Sequence, residues 1–129
     1  MDEQIVYKVV YPGRDGLISC SLTRCDDLCL DYRKDRWTIA LVGTPGIYAF
    51  GDKDKAICFA VARREEVYEA KAMGVTDINP VLKQSGQLTL RSVRRWWRAY
   101  QAGKQPKGTR PAPLGTVLCQ RLRLVRRII

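Results

Sequence analysis

Few residues in this chain could carry covalent or acid–base chemistry. There is no histidine. Its absence removes Ser-His-Asp and Cys-His catalysis, His-bearing metal sites and a His-based pH switch. The thiols are Cys20, Cys25, Cys29, Cys58 and Cys119. The first three are separated by four and three residues, with no C-x-x-C pair. Structural zinc takes tighter paired ligands, so they read as free thiols. Cys58 and Cys119 read as small core residues on a helix and a strand. Glu65, Glu66, Glu69 and the Asp26-Asp27 pair could supply carboxylates, but no spacing sets two of them across one site. They read as charged turns and strand ends. Gly43-Thr44-Pro45-Gly46 lacks the Walker glycine-lysine spacing and precedes a strand, so it reads as a hairpin turn and not a phosphate loop. No cofactor and no metal is expected.

Charge is the stronger signal. From Pro80 to Ile129 there are twelve Lys and Arg and no Asp or Glu. From Met1 to Asn79 there are eleven basic and thirteen acidic residues. The net +10 is therefore confined to the C-terminal part. An excess held in one segment points to an anionic partner, most often a phosphate backbone, whose counterions each Lys or Arg displaces. On a wheel of about 100° per residue, Leu90, Val93, Trp96, Trp97 and Tyr100 gather on one side of a helix from Leu90 to Gln101. Arg91, Arg94, Arg95 and Arg98 gather opposite, with no carboxylate at helical spacing to pair with them. Arginine fits phosphate oxygens bidentately and stacks on bases. The bias continues through Lys104, Lys107 and Arg110 into Arg121, Arg123, Arg126 and Arg127. The plain alternative is a solvated helix face, with Trp96 and Trp97 covering the sheet. The functional alternative has Trp96 stacking on a base or on a partner side chain.

The elements that must position these groups are legible in outline. Ile5–Tyr11 reads as a strand, Pro12–Gly16 as a turn and Leu17–Thr23 as the returning strand of a hairpin. Leu28–Arg33 reads as a short strand and Trp37–Val42, a continuous apolar run, as a buried one. Ile47–Phe50 starts another. Asp52 caps a helix from Lys53 to about Arg64, with Ala56, Ile57, Ala60 and Val61 on its apolar face. Val67–Met73 alternates as a strand, and Gly74–Gly86 reads as a connection. Thr89 caps the basic helix and Gly103 ends it. Lys104–Pro113 reads as a flexible loop, and Gly115–Ile129 as one long final strand. There Leu118, Leu122, Leu124 and Ile128 share one face, and Cys119, Arg121, Arg123 and Arg127 the other. The expected fold is α+β: residues 1–129 as a single domain, a mostly antiparallel sheet of about five to seven strands with two covering helices. Residues 1–79 would form its near-neutral β-rich part, and 80–129 the strongly basic helix, Pro-rich loop and final strand. No apolar run reaches the length that spans a bilayer. The acidic start Met1-Asp2-Glu3-Gln4 leads straight into a strand-like run. With an odd cysteine count it implies reduced thiols and a cytoplasmic setting.

The succession Tyr7-Lys8-Val9-Val10, Leu30-Asp31-Tyr32, Trp37, Gly46-Ile47-Tyr48-Ala49-Phe50, Ala56, Phe59-Ala60, Val67-Tyr68-Glu69-Ala70 and Pro113-Leu114-Gly115-Thr116-Val117-Leu118-Cys119 resembles a loose group of small, uncharacterised proteins of phages, prophages and archaeal mobile elements. The resemblance covers most of the chain except Leu88 to Pro111 and implies no catalytic residue. The glycine-aromatic turn before an alanine-bearing helix is also similar to ADP-ribosyltransferase-like folds. Those enzymes use a first-strand His or Arg and a late Glu; the first strand here has neither and the late segment has no Glu, so no activity carries over.

The expectation is therefore a non-enzymatic basic accessory protein. It would bind DNA or RNA, with low sequence specificity, or a nucleoprotein complex, in the host cytoplasm or a virion. Arg91, Arg94, Arg95, Arg98, Trp96, Lys104, Lys107, Arg110, Arg121 and Arg123 would make the contacts. One alternative is a viral or phage-type protein–protein module: a virion component or an inhibitor of a host defence complex, meeting an acidic partner through the same surface. Another is a small nucleotide-acting enzyme, which the lack of histidine disfavours.

Overall fold

The first strand organises the sheet because three other strands pair with it. A computed structural model of the protein describes residues 2–13, 16–20, 29–33, 35–77, 80–83 and 88–129. Strand β1 (Gln4–Gly13) runs antiparallel to β2 (Gly16–Cys20) as a hairpin, and β2 to β3 (Cys29–Tyr32), with Cys20 opposite Cys29. The expected strand residues 21–23 and 28, and Cys25 and Asp26-Asp27, lie outside the described residues. On the other side β1 pairs with β6 (Glu66–Met73), in register from Gln4↔Ala72 to Val10↔Glu66. Near its start it meets β5 (Ile47–Phe50) at Tyr7↔Phe50.

The C-terminal segment closes the sheet. It forms two strands, β9 (Thr116–Cys119) and β10 (Arg121–Arg127), where the alternation predicts one. Strand β9 pairs with β5 and β10 with β6, and both of those pair with β1, so the strands join in a ring. Two contacts bend the chain at Gln120: its N–H donates to the Met73 carbonyl, and its own carbonyl accepts from Ala40 N–H, each at 2.9 Å. The bend breaks the expected parity. Leu118 and its neighbour Cys119 are both buried, while Leu122 and Leu124 keep the predicted inward face. Alternation leaves Val125 outward, and a register shift between Leu124 and Arg126 skips it in the pairing with β6. The ring encloses Val6, Val10, Tyr32, Ile47, Ala49, Tyr68, Ala70, Ala72, Val117, Cys119, Leu122 and Leu124.

Helix α1 (Lys53–Arg63) covers the outer face of this sheet. Asp52 caps it by accepting from Lys55 N–H, and Ala56 and Ala60 pack on Val9, Phe50 and Val67. Val61, expected on the packed face, is 63% exposed. The expected buried strand Trp37–Val42 shrinks to β4 (Thr38–Ile39), which among the described residues pairs only with β10. Ile39 and Val42 are exposed because the chain leaves this edge at once for the turn in which Thr44 bonds to the Leu41 carbonyl.

Two regions expected to be irregular pair with each other. Strand β7 (Pro80–Leu82) lies in the expected connection and β8 (Thr109–Pro111) in the expected loop; they form a separate antiparallel ladder. Helix α2 (Leu90–Gln101) covers that ladder, with Val93 and Trp96 against Leu82. Thr89 caps it in a reciprocal pair with Ser92. The fold is thus α+β, as expected, with α1 on the main sheet and α2 on the ladder. Among the described residues no helix is long and apolar enough to cross a membrane.

Lys8 is enclosed by the ring, at the parity of Val6 and Val10, and is 4% exposed. Its ammonium donates to the Tyr48 carbonyl at 2.6 Å and lies 5.4 Å from the centre of the Tyr32 ring. Burial lowers its pKa from 10.5 to about 8, against smaller opposing pulls from Cys119 and Glu65. Burial also pushes the Cys119 thiol up to about 11, so it stays neutral where Lys8 titrates. Below about pH 8 Lys8 is charged in both folded and unfolded chains, and the folded state bears the full cost of the buried charge. Between about 8 and 10.5 the unfolded chain binds more protons, so stability rises with pH. Lys8→Met removes this dependence. In urea unfolding, wild type should gain on the Met variant by roughly 2–3 kcal/mol between pH 7 and 10. An unchanged difference would mean that Lys8 keeps its charge in the folded ring across this range, its pKa not lowered by burial.

Candidate nucleic-acid interface

Helix α2 owes its position to the apolar arc. Val93 and Trp96 are buried, Leu90, Trp97 and Tyr100 half-buried. The Trp96 indole N–H donates to Thr109 Oγ1 at 2.9 Å, and that hydroxyl donates to the Pro106 carbonyl at 2.7 Å. One aromatic side chain thus pins the loop after α2 to the helix. At 5% exposure Trp96 offers no face to a base, which corrects the stacking role expected of it. Trp97 and Tyr100 stack on each other, with centroids 5.4 Å apart and planes at 11°.

The opposite arc holds the arginines as the wheel predicts. Arg91, Arg95 and Arg98 are exposed and Arg94 is half-buried. Together with Thr89 and Leu90 they line an open depression of about 560 Å³. Arg94 is tethered: its Nε donates to the Val42 carbonyl at 2.7 Å. Its stem lies over Gly43, where a Cβ would meet it at 3.1 Å in a backbone of φ +81°. The tether joins α2 to the turn after β4, and β4 is the strand whose Ile39 stands opposite Arg121. The sequence carries no signal for this bond, because a backbone carbonyl 52 residues away marks no side-chain type.

The remaining expected contacts divide. Lys104, Lys107 and Arg110 are exposed beyond the helix, with Arg110 donating to the Thr109 carbonyl at 2.9 Å. Arg121 is exposed on β10, and the Arg123 guanidinium lies 5.3 Å from the Trp37 ring centre. Arg126 and Arg127, part of the same basic run, bridge to Glu69 and Glu66 on β6 at 3.2 and 3.4 Å. Among the described residues none of the α2 arginines has a carboxylate partner. Arg91 stands in the first turn, which contains no acid. The helix dipole disfavours a cation there.

Cys58 and Cys119 are free thiols, the first exposed and the second buried. Among the described residues no group of three His, Cys, Asp or Glu side chains could hold a metal. We find no match to this chain among protein-family models, curated proteins or solved structures.

The two arcs of α2 should respond oppositely to substitution. Arg91→Glu removes a cation from the positive end of the dipole and should raise stability by up to about 1 kcal/mol. Trp96→Ala should cost about 3–5 kcal/mol, the usual loss for a buried Trp. Urea titrations of both variants check the pair; an Arg91→Glu protein less stable than wild type would mean that Arg91 has a structural role.

Proposed function

We propose that this protein is a non-enzymatic basic accessory protein that binds nucleic acid, alone or within a nucleoprotein complex, through α2 and the loop after it. One contrast carries the reading. The protein neutralises Arg126 and Arg127 with carboxylates on β6, yet Arg91, Arg94, Arg95 and Arg98 share one face with no acid bridged to them among the described residues. Four like charges on three turns, one against the helix dipole, cost stability that a polyanion would return. The contacts fall on phosphates, so sequence specificity is low. Lys104, Lys107, Arg110 and Arg121 extend the footprint; Arg123 contributes charge from over Trp37. The cytoplasmic setting and the phage or mobile-element origin belong to the same proposal.

A second reading has an observation of its own. Ile39 and Val42 are exposed, and Arg94 bonds to the Val42 carbonyl. Apolar side chains beside arginines also suit an acidic protein partner.

The test is a titration into labelled nucleic acid across a salt series. About four to six phosphates engaged at once give a slope of log K against log salt of roughly −3 to −5. No binding at about 50 mM salt, where such contacts are strong, would contradict the proposal. A nuclease-treated pull-down that retains a protein would then favour the second reading.

A further inference from the structure

Resting on that reading, we propose that the polymer is a double helix, held by its phosphates and not by base stacking. The first observation is charge density. Arg91 and Arg98 are seven residues apart on α2, about 10 Å along the helix axis. Arg94 and Arg95 lie between them, so four guanidiniums occupy that length. Over about 10 Å a duplex presents about six phosphates, and one strand about three. Only the duplex supplies a partner for every guanidinium without drawing the backbone together.

The second observation is where the aromatic rings lie. Proteins that hold single strands put aromatic faces in the basic groove, so that unpaired bases stack there. The depression on α2 is lined by Thr89, Leu90 and the four arginines, with no ring among them. Trp96 is buried with its N–H on Thr109. Trp97 and Tyr100 stack on each other on the arc turned toward the ladder. Trp37 sits beneath Arg123. Each tryptophan is engaged within the protein, away from the arginine face.

The third observation is preorganisation. The Arg94 Nε bond to the Val42 carbonyl fixes one guanidinium at the edge of the face before any partner arrives. A group already held loses less freedom on binding. That favours a stiff partner of regular phosphate spacing over a flexible strand that would itself have to be ordered.

The experiment compares a mixed-sequence 20-base-pair DNA duplex, its separated strands, and the matching RNA duplex and strands. Fluorescence anisotropy at about 0.1 M salt and equal phosphate concentration reads the affinities. Each duplex should bind at least about tenfold more tightly than its own strands. The Arg91→Gln, Arg95→Gln, Arg98→Gln triple variant should lose most of that preference, with circular dichroism confirming that its helices are kept. Strands bound as tightly as their duplex, or more tightly, would overturn the inference while leaving nucleic-acid binding in place. Loss of binding to all four probes would overturn both.

Discussion

The bend at Gln120 is the constraint on which the rest of the architecture depends. It lets one C-terminal segment complete β5 through β9 and β6 through β10. Without it the sheet would stay open, and Val117 and Cys119 could not share one interior with Leu122 and Leu124. The bend is crowded from two sides. A Cβ at Gly46 would lie 2.8 Å from the Cys119 carbonyl, and one at Gly74 2.8 Å from the Gln120 side chain. Both glycines have positive φ, so backbone conformation and close approach each exclude a side chain there. The closed ring also explains Lys8, which the parity of β1 points into the interior, where a backbone carbonyl and an aromatic ring stand in for water.

Closure leaves the β7–β8 ladder and α2 outside the ring. They carry their own small cluster of Leu82, Val93 and Trp96, with Leu88 and Trp97 against it. The Trp96–Thr109 bond and the Arg94–Val42 bond hold the unit together and join it to the turn after β4. One face of α2 is thereby committed to packing and the other is free of it. The arginines on that free face meet no carboxylate among the described residues, whereas the β10 arginines meet β6. Location, more than total charge, is what sets α2 apart.

Much of this was legible in the sequence, and the failures share a cause. Caps and period fixed both helices: Asp52 and Thr89 start them, and the arginine arc fell where the wheel put it. The hairpin of β1 and β2 and the strands β3, β5 and β6 followed from alternation and turn residues. What failed depended on contacts between distant segments. Pro80–Leu82 and Thr109–Pro111 are three-residue strands in Pro- and Gly-containing stretches, and only their mutual pairing makes them strands. The apolar run Trp37–Val42 looked buried, yet its edge position leaves Ile39 and Val42 in solvent. Trp96 could be assigned to core or to a partner by its angle alone; Thr109 decides it. The buried Lys8 is readable from its parity with Val6 and Val10, against the general rarity of interior lysine.

The central claim is that the arginine arc of α2 is the centre of the surface that meets the polyanion, with the bridged Arg126 and Arg127 outside it. Nitrogen-15 NMR of the arginine Nε–H groups during titration with a short DNA duplex tests it most directly. The account predicts that the Arg91, Arg95 and Arg98 signals shift first and furthest, while those of Arg126 and Arg127 hold still in their bridges to Glu69 and Glu66. Shifts confined to β10 or α1, with the α2 signals unmoved, would contradict it.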